Sequence, residues 1–95
     1  MGHNHPRILA VREEFSKNQS LEIHKNYLNR FLAAASYNLA QVLPGDLNYS
    51  FFCNSGSEAI DGALKISYRY HMGKRSFVLR SNRSFHGKTI GAGSL

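Results

Sequence analysis

The chain has one cysteine, Cys53, no tryptophan and two prolines. A lone cysteine excludes an internal disulfide and a cysteine-based zinc site. It also makes the cytoplasm the simplest expected compartment. No apolar run approaches the roughly 20 residues that a membrane-spanning helix needs. The opening Met1-Gly2-His3-Asn4-His5-Pro6 has no apolar core and no cleavage pattern, so it does not read as a signal peptide. Acidic residues are scarce, six against twelve lysines and arginines, and the formal charge is +6. Such a balance invites a nucleic-acid reading. The basic residues, however, are scattered from Arg7 to Lys88, and no basic block interleaves with aromatics. The expectation is therefore no nucleic acid and no membrane as partner.

What is present is a helical rhythm followed by short apolar segments. At 95 residues and 42% hydrophobic, the chain can make one small domain at most. Pro6 suits the first turn of a helix, and Ile8, Val11 and Phe15 recur at helical spacing. This first helix is expected to end near Lys17-Asn18, with Ser20 as the next boundary. Leu28, Phe31, Leu32, Ala35, Leu39 and Val42 form one stripe of a second helix, ended by Pro44-Gly45-Asp46. Tyr49 to Cys53 reads as a short buried strand. Ser55 and Glu58 have the capping-box spacing of a third helix, which Gly73 stops. Ser76 to Leu79 reads as a second strand, and Thr89 opens another segment. Strand, helix and strand make a βαβ unit, so the expected class is α/β with a mostly parallel sheet. Two strands are too few for a covered parallel sheet, so the chain reads as a piece of a larger α/β protein.

Two places carry chemistry. At Asn54-Ser55-Gly56-Ser57 a strand-like run turns directly into a helix. Small residues let the backbone approach a ligand, and the helix start offers free N–H groups and a positive dipole end to a phosphate. The other reading is an ordinary capped helix. The second place is Ser84-Phe85-His86-Gly87-Lys88-Thr89. A ring there can stack on a planar ligand, or it can simply plug a core. Lys88 can meet an anion or only water. His86 can exchange a proton or only hydrogen-bond. His3-Asn4-His5 lacks a carboxylate or thiolate partner, and His24 and His71 stand at no useful ligand spacing, so no metal site is expected. Glu58 and Asp61 are accounted for by the helix dipole and the cap.

Three segments together resemble successive signatures of the class III aminotransferases. They are Gly2-His3-Asn4-His5-Pro6-Arg7-Ile8, Phe52-Cys53-Asn54-Ser55-Gly56-Ser57-Glu58-Ala59 and Phe85-His86-Gly87-Lys88-Thr89. This family comprises pyridoxal-phosphate enzymes of fold type I, among them ornithine, acetylornithine, putrescine and 4-aminobutyrate aminotransferases. The resemblance runs through nearly the whole chain. It implies that residues 1–95 are part of the large, cofactor-binding domain, with no complete second domain. It implies that Gly56 and Ser57, with Ser55 beside them, hold the cofactor phosphate and that Phe85 stacks on the pyridine ring. The position of Lys88 is often arginine in the family and can bind a substrate carboxylate. Lysine keeps the charge and loses the two-pronged geometry, which favours a diamine-type substrate such as putrescine.

The reaction so implied moves an amino group from an amine or ω-amino acid to a 2-oxo acid, in a homodimer. It requires a lysine bound covalently to the cofactor and an aspartate on the pyridine nitrogen. In the family both lie downstream of the Phe-His-Gly loop. Lys17, Lys25, Lys65, Lys74 and Lys88 all stand in the wrong context. The chain is thus expected to be an internal fragment, inactive alone. Two alternatives are a non-catalytic phosphate or pyridoxal-phosphate-binding remnant and a basic nucleic-acid-binding domain.

Overall fold

The computed structural model describes residues 2–19 and 26–95. Among them all regular structure is helical: α1 (Pro6–Lys17), α2 (Arg30–Val42), α3 (Gly56–Tyr70) and α4 (Ile90–Gly93). The chain divides into two compact units, Met1–Tyr49 and Ser50–Leu95.

In the first unit, Pro6 opens α1 as the sequence predicts. The residue before it supplies the cap: His5 Nδ1 accepts the Arg7 N–H at 3.3 Å. The helix ends at Lys17, whose ammonium lies 2.7 Å from Glu13 one turn back. The expected boundary at Ser20, together with His24 and Lys25, lies outside the described residues. Helix α2 starts later than its stripe suggests. Asn29 caps it, its Oδ1 accepting the N–H groups of Phe31 at 2.8 Å and Leu32 at 3.4 Å. Leu28 therefore precedes the helix and is fully exposed. The rings of Phe15 and Phe31 meet with centroids 5.1 Å apart and tilted by 60°.

In the second unit, α3 runs from Gly56 to Tyr70. Its chain reversal uses Met72 and Gly73, both at positive φ, and the Gly73 N–H donates to Tyr68 O at 3.0 Å. Gly73 thus stands three residues past the end of the helix. Thr89 precedes α4, which packs on α3. Ala92, at 2% exposure, is the buried apolar residue of this contact.

The expected α/β class, with its βαβ unit, is overturned. No strand occurs among the described residues, and 49–53 and 76–79 carry no regular structure. Apolar and β-branched residues favour a pleated, half-buried surface, but a strand exists only by exchanging backbone hydrogen bonds with a neighbour. These two segments form no ladder with each other, and a pair of isolated strands is marginal in water. Phe51, Phe77, Val78 and Leu79 are exposed. Their apolar character reports a need for burial, which the sequence reading took for a sheet.

Candidate functional site

The site is built on the first turn of α3. Ser55 adopts extended φ and ψ, and its Oγ accepts the Glu58 N–H at 3.2 Å. Glu58 reaches back, Oε2 accepting the Asn54 N–H at 2.8 Å. This reciprocal pair fixes where the helix begins. The N–H groups of Gly56 and Ser57 precede the first intrahelical bond, donated by Ala59 to Ser55 O at 3.1 Å. Neither meets an acceptor among the described residues. The space beside Gly56 is open, since a Cβ there would touch nothing within 4 Å.

The Phe85-His86-Gly87 loop comes back onto this turn. The Lys88 N–H donates to Ser57 Oγ at 3.2 Å. Gly87 has φ +134, and a Cβ there would lie 2.9 Å from Ser57 Cα and overlap Ser57 Oγ. Only glycine lets the two backbones come this close. Because Ser57 Oγ accepts from Lys88, its own hydrogen remains available to donate. Phe85 is 77% exposed, with its ring uncovered. Ser84 Oγ donates to Ser81 O at 2.7 Å and lies 2.9 Å from His86 Nε2. A hydroxyl has one hydrogen, so Nε2–H is the donor to Ser84, and His86 serves to shape the loop.

A second bridge lies one turn along. The Ala92 N–H donates to Asp61 Oδ1 at 2.9 Å. Ser57 to Lys88 and Asp61 to Ala92 both span 31 residues. Two α3 side chains four apart thus hold two amides four apart in the returning segment.

The protein-family model described as aminotransferase class III matches residues 1–95. The chain belongs to the class III aminotransferase family. No solved structure matches it. Of the residues that the sequence singled out in this class III aminotransferase chain, Ser57, Gly87 and the Lys88 backbone are brought together. Ser55 is engaged as the helix cap. The Lys88 ammonium forms no ion pair among the described residues. Among those residues no cluster of three or more metal-ligating side chains occurs, and His5 is used as a cap. No described helix is long and apolar enough to cross a membrane.

Sequence reasoning missed three functional or structural groups. Asn29, just before α2, carries the ordinary N-cap signal, whereas His5 lies outside the usual Ser/Thr/Asp/Asn set and caps α1 through its ring nitrogen. Asp61 was assigned to the helix dipole, yet its partner is an amide 31 residues away. Only the i, i+4 relation to Ser57 could have hinted at it.

Proposed function

We propose that this chain is the phosphate- and ring-gripping part of a pyridoxal-phosphate-dependent aminotransferase. The observation that carries the reading is the Lys88 N–H bond to Ser57 Oγ, which seats the aromatic loop on the open first turn of α3. The residues fit the cofactor. Gly56 and Ser57 offer two free backbone donors beside open space, at the positive end of a 15-residue helix. The hydroxyl hydrogens of Ser57 and Ser55 remain to donate beside them, because both oxygens act as acceptors within the fold. Phe85 presents an uncovered ring for the pyridine face.

Bound pyridoxal phosphate supplies an electron sink for loss of a proton beside the amino nitrogen. The chain's own part is to bind and orient. Free N–H groups in the first turn neutralise phosphate charge, and the Gly87–Ser57 approach fixes the loop that carries Phe85. Lys88 places one positive charge next to this loop, suited to a single anionic group on a substrate. The parent reaction is amino transfer from an amine or ω-amino acid, with a diamine such as putrescine favoured, to a 2-oxo acid. The parent enzyme is cytoplasmic and a homodimer in this reading, and residues 1–95 are a portion of its large domain. The exposure of Leu28, Tyr49, Phe51, Phe77 and Leu79 supports a longer protein that covers them. Alone, the chain is inactive, since none of its lysines has the context of the covalent cofactor lysine.

The test is titration with pyridoxine 5'-phosphate, which keeps ring and phosphate but has no aldehyde to react with surface lysines. Saturable binding is expected. Ser57→Glu puts a carboxylate where phosphate would sit and should weaken binding at least tenfold, about 1.4 kcal/mol. Unchanged affinity would remove the cradle from α3.

A further inference from the structure

Asp61 is not among the residues proposed to meet the cofactor, yet it does more than decorate a helix. It lies one turn beyond Ser57 on α3, and its Oδ1 accepts the Ala92 N–H at 2.9 Å. Ala92 is the third residue of α4, one of the amides that an N-cap side chain would normally satisfy. Thr89, at the cap position, makes no such bond, and its Oγ1 is buried without a partner. Asp61 therefore caps α4 from another helix, with a negative charge at the positive end of that helix. The fit is tight. A Cβ on Gly91 would overlap Asp61 Oδ1, and Ala92 is buried in the same contact.

The consequence concerns the loop. Residues 85–88 enter α4 through Thr89 and are held at two points, Lys88 by Ser57 and Ala92 by Asp61. The contact of Gly87 and Lys88 with Ser57 holds the segment at one place. A second, one turn along, sets its direction. The geometry points to Asp61 as a positioning residue that fixes the Phe85 loop over the first turn of α3. This assignment rests on the proposed cofactor site.

The experiment compares the wild-type chain with Asp61→Ala and Asp61→Asn. It reads amide exchange at Ala92 and affinity for two probes, inorganic phosphate and pyridoxine 5'-phosphate. Phosphate needs only the first turn of α3, whereas pyridoxine 5'-phosphate also needs the ring of Phe85. Asp61→Ala should speed Ala92 exchange roughly tenfold, the loss of one charge-assisted bond. It should also erase most of the advantage of pyridoxine 5'-phosphate over phosphate without weakening phosphate itself, since loss of a nearby carboxylate does not oppose an anion. Asp61→Asn keeps an acceptor oxygen and should restore most of that advantage. Equal weakening of both probes, or unchanged Ala92 exchange, would overturn the assignment while leaving the cofactor site standing. A wild-type chain that binds neither probe defeats the proposed function, and the positioning role with it.

Discussion

The starts of α3 and α4 solve the same problem in opposite ways. Every helix begins with N–H groups that lack a partner in the helix. At α3 the answer is local: Ser55 and Glu58, three residues apart, satisfy Glu58 and Asn54 N–H. This leaves Gly56 and Ser57 N–H open on the outer turn. At α4 the local residue declines the task, and Asp61 reaches across from another helix. The first helix start thereby keeps two N–H groups without an acceptor among the described residues. The second is closed, and its closure ties down the loop between them. A helix start capped from within can serve as a binding surface, and one capped from outside serves as an anchor.

The largest expected break in this comparison is Gly87→Ala. It places a side chain at φ +134 and against the Ser57 backbone. Strain and overlap together should cost about 2–4 kcal/mol of the loop's attachment. Amide exchange at Lys88 should accelerate accordingly, and an unchanged rate would mean that the loop does not rest on α3. Next comes Gly91→Ala, whose overlap is with the Asp61 carboxylate. In the wild-type background it should weaken the α3–α4 contact by about 1–2 kcal/mol, and after Asp61→Ala by far less. A double-mutant cycle on Ala92 exchange measures this coupling, and simple additivity would deny that Gly91 is glycine on account of Asp61. The smallest effect belongs to Ser55→Ala, about 1 kcal/mol of α3 stability by loss of the cap. Far-UV circular dichroism on heating reads it. It should leave Ala92 exchange nearly unchanged, because α4 takes its cap from Asp61.

The local cap was legible because its signal lies within four residues. Ser55 and Glu58 stand at capping-box spacing; Ser55 Oγ accepts the Glu58 N–H as expected, while the Glu58 carboxylate takes the N–H of Asn54, one residue before the cap. Pro6 at the start of α1 and the turn residues after Val42 were legible for the same reason. The helix stripes gave the identity of α1, α2 and α3, though Leu28 showed that a stripe can run past its helix. The strands at 49–53 and 76–79 were misread. Apolar runs state that side chains seek burial, and a ladder needs a second backbone that no local pattern specifies. Asp61 was misread for a related reason. Its charge near a helix start fitted the dipole, and nothing nearby in sequence marked Ala92 as its partner.

The sequence alone determined three helices, the cap at Ser55 and the three motifs whose order resembles that of class III aminotransferases, a family match that extends over residues 1–95. These rest on hydrogen bonds and side-chain spacings within a turn or two, which the order of residues fixes directly. Tertiary structure decided the absence of a sheet among the described residues, the approach of Gly87 to Ser57 and the bridge from Asp61 to Ala92. The last two depend on segments about thirty residues apart meeting within van der Waals contact. Only the packing of α4 against α3 brings them there.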